Sequence, residues 1–104
     1  MNRINSRKIV LIDPDPGIDN LIQYSINGTG INVIRYSSGS KALQKIAADE
    51  PMLIISEFVT TDLDGRALFH EIKNQTRYIE LQQVPFIFFS DKRYKDAYKQ
   101  EFFT

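Results

Sequence analysis

The sequence predicts a three-layer α/β sandwich, in which helices cover both faces of a parallel β-sheet. Four short apolar runs, rich in β-branched or aromatic residues, alternate with segments whose apolar residues recur at helical spacing. The runs are continuously apolar, as is typical of strands buried on both faces. Each run is followed by polar residues that can start a helix. This βα alternation predicts parallel strands joined by right-handed crossovers.

The first βα unit consists of the strand Ile9–Ile12 and a helix that begins after Asp15. Asp15 can cap this helix, and Pro16 suits its first position because no backbone N–H is needed there. Gly28 is expected to end the helix. The predicted helical face is formed by Ile18, Leu21, Ile22 and Ser25.

The second unit consists of the strand Ile31–Tyr36, a cap-rich turn at 37–40 and a helix that Pro51 prevents from continuing. One apolar stripe of this helix is expected to face the sheet. Its members are Ala42, Leu43, Ile46 and Ala47.

The third strand, Leu53–Ile55, ends near Glu57, and Asp64 is expected to cap the helix that follows. Leu68, Phe69 and Ile72 should face inward on this helix and His70 outward. A connection from Asn74 to Gln83, with Ile79 and Leu81 as its predicted anchors, leads to the fourth strand, Val84–Phe89. The helical pattern of Lys92–Phe102 has an apolar face made of Tyr94, Ala97, Tyr98 and Phe102.

Composition limits the possible functions. The 104 residues predict a single domain, 1–104, and thirteen basic residues balance thirteen acidic ones, so no overall field favours nucleic acid or an anionic membrane. There is no cysteine, as is common in a reducing compartment. The apolar runs are too short to span a bilayer. The predicted location is therefore cytoplasmic.

Polar side chains follow three of the four predicted strands. Asp13 and Asp15 follow the first strand, Glu57 the third and Ser90 the fourth. If these strands are neighbours, the side chains meet at the carboxyl edge of the sheet, where ligands of open α/β folds bind. Such carboxylates can hold a hard cation. Asp13 and Asp15 could equally serve only as a turn and a helix cap.

Four segments, in this order and at this spacing, resemble the receiver domain of bacterial two-component response regulators. They correspond to the acidic first strand, the phosphoacceptor strand, the Met-Asp-Gly turn and the strand that ends in the switch Ser/Thr. The resemblance extends from Lys8 to about Phe102 and implies a CheY-like sheet with strand order 2-1-3-4-5 and a role in phosphorelay signal transduction. The matching segments are 9–16, 51–57, 63–65 and 84–90.

Departures from the family pattern predict a degenerate receiver that is not phosphorylated. Glu57 stands where the family has the phosphate-accepting aspartate, and Pro14 removes one carboxylate of its acidic pair. Glu57, permanently charged, is expected to imitate phosphoaspartate by reaching Ser90. The family's Mg²⁺ would fall on Asp13, Glu57 and Val59, and we expect that ion to be lost, with no other cofactor and no catalytic residue. The degenerate pocket comprises Asp13, Pro14, Asp15, Glu57 and Ser90, with Asp64 and Gly65 as loop and cap.

The sequence stops before the family's fifth strand, which would make the fourth strand an edge of the sheet. An apolar edge such as 84–89 is a poor surface to expose. We therefore expect either that the natural chain continues past Thr104 or that a second chain covers this edge. Self-association through 84–89 and the helix 92–102 is the predicted contact. A histidine kinase or an effector domain is the other partner that the resemblance implies.

Two alternatives remain open. The pattern from Ile9 to Asp15 also resembles Mg²⁺-dependent phosphatases of the haloacid-dehalogenase type, with Asp13 as the nucleophile and Asp15 as the general acid. Gly17, where that family has Thr or Val, and the absence of a later acidic pair disfavour it. A purely structural interaction domain on the same fold is the second alternative.

Overall fold

The computed structural model describes residues 7–58 and 62–89. Four strands and three α-helices alternate along this part of the chain, and a 3₁₀ helix precedes the last strand. The elements are β1 (Lys8–Ile12), α1 (Gly17–Ser25), β2 (Asn32–Tyr36), α2 (Gly39–Asp49), β3 (Leu53–Glu57), α3 (Gly65–Asn74), the 3₁₀ helix Thr76–Leu81 and β4 (Phe86–Phe89).

The strands form one parallel sheet in the order β2-β1-β3-β4. This confirms the predicted fold class and the order 2-1-3-4. The first, third and fourth strands are therefore contiguous, as convergence of their polar ends requires. The predicted helix 92–102 lies outside the described residues. Within those residues, no helix has the length and apolar content needed to cross a bilayer.

The main core lies between the sheet and the helices α2 and α3. Alternate residues of β1 face this side, and the helices add the stripes that their spacing predicts. Leu68 and Ile72 are fully buried, Phe69 is half-buried and His70 is exposed, as predicted. Ala47, assigned to the α2 stripe, is exposed instead. The cluster consists of Val10, Ile12, Ala42, Ile46, Ile54, Leu68, Ile72, Tyr78 and Leu81.

The connection before β4 has one correct and one wrong predicted anchor. Leu81 is buried, but Ile79 is 61% exposed, and Tyr78 is buried in its place. The segment forms a 3₁₀ helix, in which residues three positions apart share a face. Tyr78 and Leu81 are so related, whereas Ile79 lies on a different face.

Helix α1 is less buried than predicted. It has no fully buried residue, and Leu21, expected to face the sheet, is 65% exposed. Ile18 and Ile22, one helical turn apart, are half-buried. The apolar stripe of α1 is thus narrower than the sequence pattern suggests. The helix ends at Ser25, before the predicted Gly28, whose φ of +83° instead serves the turn into β2.

Candidate functional site

Asp13 is buried at the carboxyl end of β1, with 1% of its surface exposed. Its backbone N–H donates to the Tyr36 carbonyl at 3.0 Å, which extends the pairing of β1 with β2. Its carboxylate Oδ1 accepts from the Asp15 backbone N–H at 3.0 Å. This Asx turn gives one oxygen of the buried carboxylate a hydrogen-bond partner, and it turns the chain away from the strand direction.

Asp15 is exposed, and its Oδ1 accepts from the Gly17 backbone N–H at 2.9 Å. The prediction that Asp15 caps the helix is wrong, because the cap residue is Pro16 and no side chain makes a cap hydrogen bond. The boundary differs, because α1 begins at Gly17 and Pro16 is its cap residue rather than its first helical residue. The Pro16 carbonyl accepts the first helical hydrogen bond, from Asn20 at 3.1 Å.

Arg35 also belongs to this edge, although the sequence analysis did not single it out. It lies in β2, beside Leu11 of β1 in the sheet register. Its Nε donates to the Asp13 carbonyl at 3.0 Å and its Nη2 donates to the Pro14 carbonyl at 2.7 Å. One planar guanidinium thus binds two consecutive carbonyls of the turn between β1 and α1.

Glu57 is the last residue of β3 and is half-buried. Its register partner in β4 is Phe89, and the preceding Ser56 pairs with Ile12 of β1. The ends of β1 and β3 therefore lie side by side, which places Glu57 next to Asp13 along the carboxyl edge. Val59 and Ser90 lie outside the described residues, so their predicted places in the pocket stay predictions.

Asp64 caps α3 as predicted, because its Oδ1 accepts from the Ala67 backbone N–H at 2.8 Å. Gly65 follows in very close contact with the end of β3. A Cβ at this position would lie 2.9 Å from the Glu57 carbonyl oxygen and 3.0 Å from the Phe88 ring. The Asp-Gly pair therefore lets the helix start directly against the strand that carries Glu57.

The carboxylate of Asp62, two residues before the cap of α3, interacts with the start of α2. Hydrogen bonds from the Leu63 backbone and then from the Ser40 side chain lower the pKa of Asp62 below its ordinary 3.8, with smaller contributions from the Ser40 backbone and the Ser38 hydroxyl. Ser38 is the cap of α2, and its side chain also accepts from the Lys41 backbone N–H at 3.3 Å. Asp62, shortly before α3, is thus tied to the N-terminus of α2.

A lowered pKa of Asp62 predicts an acid-sensitive contribution to stability. The ionised carboxylate stabilises the fold above its ordinary pKa, and this contribution should be lost as the pH falls below that value. Asp62→Asn should therefore slightly flatten the fall in the unfolding midpoint as the pH drops below about 4, the effect being small because Asp62 is exposed to solvent. Thermal unfolding followed by circular dichroism at several pH values measures this. If the unfolding midpoint falls equally steeply with decreasing pH in the wild type and the variant, the prediction is contradicted.

The carboxylates of Asp13 and Asp15 both stabilise the turn between β1 and α1. Asp13 and Asp15 each use one oxygen to accept a backbone N–H within the turn, and Pro14 between them has no ligand atom in its side chain. Among residues 7–58 and 62–89, no three histidine or acidic side chains are grouped so that they could hold a metal ion.

The sequence is similar to transcriptional regulators over about two thirds of its length. It is 31% identical, over 70 residues, to the alkaline phosphatase synthesis transcriptional regulatory protein PhoP of Bacillus subtilis, covering 67% of this chain and 29% of that protein. It is 31% identical, over 65 residues, to the transcriptional regulatory protein GlrR of Escherichia coli, covering 62% of this chain and 15% of that protein. The chain thus spans a minor part of these relatives. No protein-family model matches the sequence.

Solved structures share the fold. The chemotaxis response regulator CheY4 of Vibrio cholerae superposes with a TM-score of 0.74 at 18% identity, covering 93% of this chain and 78% of that one. The N-terminal domain of a response regulator receiver protein from Methanoculleus marisnigri gives a TM-score of 0.68 at 19% identity, covering 88% and 75%. At these identities the likeness establishes the fold, with the same parallel sheet and flanking helices.

Proposed function

Since its fold and its sequence similarity together identify this chain as a response-regulator receiver domain, we propose that it is an atypical receiver that signals without being phosphorylated. The observation that carries the proposal is the position of Glu57. It ends β3 beside Asp13, where the family has its phosphate-accepting aspartate. The chain's role would then be to present a fixed surface to a protein partner.

The length of the Glu57 side chain argues against phosphoryl transfer. Relative to an aspartate on the same backbone, its carboxylate lies one methylene further from the strand. In-line attack on a phosphoryl donor needs the reacting atoms placed to within a fraction of an ångström. The backbone cannot adjust easily, because the Glu57 carbonyl is already in close contact with Gly65 and the next residue is bonded to β4.

The negative charge that a glutamate ordinarily carries near neutral pH supports a signalling role without turnover. A glutamate carboxylate reaches further than aspartate and stays negative near neutral pH, so it partly reproduces the reach and charge of phosphoaspartate. We propose that it contacts the hydroxyl of Ser90 and holds the domain in one signalling state. The charge-neutral Glu57→Gln should release this state, visible as altered amide chemical shifts at the end of β4.

Incubation with acetyl phosphate and Mg²⁺ tests the proposal. The wild-type chain should show no phosphoryl adduct by intact-mass spectrometry, while a receiver with an aspartate at this position serves as the positive control. Glu57→Asp tests the length argument, and Glu57→Asp combined with Pro14→Asp also restores the second carboxylate. We expect labelling to increase in that order, from none in the wild type. A stable adduct on Glu57 itself would overturn the proposal.

We propose that the domain is not an enzyme, which sets it apart from the phosphatase alternative. A nucleophilic Asp13 would have to be accessible, but it is 1% exposed and bonded within its turn. The phosphatase mechanism would also need Asp15 as the general acid, but Oδ1 of its carboxylate accepts a hydrogen bond from the Gly17 N–H. Mg²⁺-dependent hydrolysis of p-nitrophenyl phosphate that is abolished by Asp13→Asn would reverse this conclusion.

The partners are also a proposal. Transcriptional regulators among the relatives suggest that the domain controls an output, through an effector domain or in response to a histidine kinase, in the cytoplasm. We propose that it also self-associates through β4. This strand is at the edge of the described sheet, residues 84–89 contain no charged side chain, and Ile87 is 49% exposed.

A further inference from the structure

We infer that the guanidinium of Arg35, rather than a divalent cation, orders the acidic turn 13–17 of this chain. The fold family implies Mg²⁺ at this edge, but the donor atoms here do not fit that ion. The inference deepens the proposed function. It rests on that function in one respect, namely that no phosphoryl transfer takes place at this edge of the sheet. It concerns a group that is part of the protein and needs no ligand.

The hydrogen bonds of the turn are satisfied from within the protein. Only three of its five residues have a backbone N–H, because two are prolines. These three N–H groups donate to the Tyr36 carbonyl and to the carboxylates of Asp13 and Asp15. One oxygen of each carboxylate, Oδ1, is therefore used to fold the backbone of the turn.

Arg35 completes this arrangement on the carbonyl side. Two of its N–H groups donate to the carbonyls of Asp13 and Pro14, and the Pro16 carbonyl accepts from α1. The guanidinium is planar and always charged, so it fixes the positions of both carbonyl oxygens and brings a positive charge to an acidic segment. These are the tasks that a bound cation would perform at such a turn.

The same guanidinium makes cation binding less favourable. A divalent ion approaching the turn would meet a fixed positive charge bonded to adjacent carbonyls. It would also have to compete with backbone N–H groups for the carboxylates of Asp13 and Asp15. Pro14 has no side-chain ligand, so the turn can offer a divalent ion only the second oxygens of Asp13 and Asp15, which disfavours that ion relative to the guanidinium already bound.

Hydrogen exchange of the Asp15 and Gly17 amides, measured by NMR with and without millimolar Mg²⁺, tests the inference. In the wild type, Mg²⁺ should leave both exchange rates unchanged. Arg35→Met keeps the aliphatic stem but removes the donors and the charge, and it should raise both rates about tenfold relative to core amides such as Ile54. Mg²⁺ should not reverse that rise. Arg35→Lys, a charge-matched control whose donors all lie on one nitrogen, should give a smaller increase.

Slower exchange at Asp15 or Gly17 when Mg²⁺ is added to the wild type would overturn the inference without the use of any variant. Unchanged exchange in Arg35→Met would overturn it as well. Acetyl phosphate labelling gives an independent result. If Mg²⁺ slows exchange in the turn and acetyl phosphate does not label the protein, only this inference is wrong. If Glu57 is labelled and Mg²⁺ does not change exchange in the turn, only the proposed function is wrong.

Discussion

Replacing Gly39 with alanine is expected to lower the free energy of unfolding by about 2–3 kcal/mol, although alanine is the better helix former. Gly39 is the first residue of α2, and a Cβ there would lie 2.6 Å from the Leu63 carbonyl oxygen and 3.0 Å from the Leu63 Cβ. A backbone oxygen cannot rotate away as the end of a side chain can. Leu63 would have to shift, which would also disturb the interactions of the neighbouring Asp62 with the start of α2. Urea unfolding measures the loss.

Gly17→Ala is a matched control, because Gly17 is likewise the first residue of a helix. A Cβ at Gly17 meets only the Asp15 side chain, at 3.4 Å, which is ordinary contact. Its effect should therefore stay within about 1 kcal/mol of zero and can be stabilising through the unfolded state. Gly65→Ala should resemble Gly39→Ala in direction. Equal changes in the free energy of unfolding for Gly17→Ala and Gly39→Ala would contradict the prediction, because only the Cβ at position 39 meets a close backbone contact.

The alternation of strands and helices could be predicted because its information is local, whereas the strand order came from the resemblance to receiver domains. Continuous apolar runs mark the strands, and the cap at Asp64 appears as a short polar residue directly before a helical pattern. The predictions of burial failed where a residue fits the apolar pattern of its segment but the sequence does not show what that residue packs against. Leu21 fits the helical face of α1 yet is largely exposed, and Ile79 is apolar yet lies off the buried face of a 3₁₀ helix.

The candidate site was predicted only in part, for a related reason. Asp13 and Glu57 follow apolar runs, so their place at the carboxyl edge is visible in the sequence. Arg35 lies inside a strand, and nothing local distinguishes it from a surface cation. Its role depends on contacts with carbonyls 21 and 22 residues away. Close packing at Gly39 is equally long-range, since the neighbouring atoms belong to Leu63.

Ile87→Lys is expected to weaken self-association of the 104-residue chain by about 30-fold or more, if β4 meets β4 of a second copy as proposed. Ile87 is the most exposed residue of this apolar strand, and a lysine near a sheet edge is a common device against edge-to-edge pairing. Packing on the opposite face of β4 should persist, because Phe86 and Phe88 are held there by Phe69 at centroid distances of 5.4 and 5.8 Å. Sedimentation velocity over a concentration series measures the dimer fraction.

Ile79→Lys separates an effect of this surface from a general effect of added charge. Ile79 is a second exposed isoleucine, located on the 3₁₀ helix, and its substitution changes the net charge by the same amount. The Ile79 variant should dimerise like the wild type, while the Ile87 variant is monomeric at tens of micromolar. A wild type that is already monomeric at that concentration would contradict the proposed contact. Equal weakening by both lysines would do the same, because it would assign the effect to charge rather than to β4.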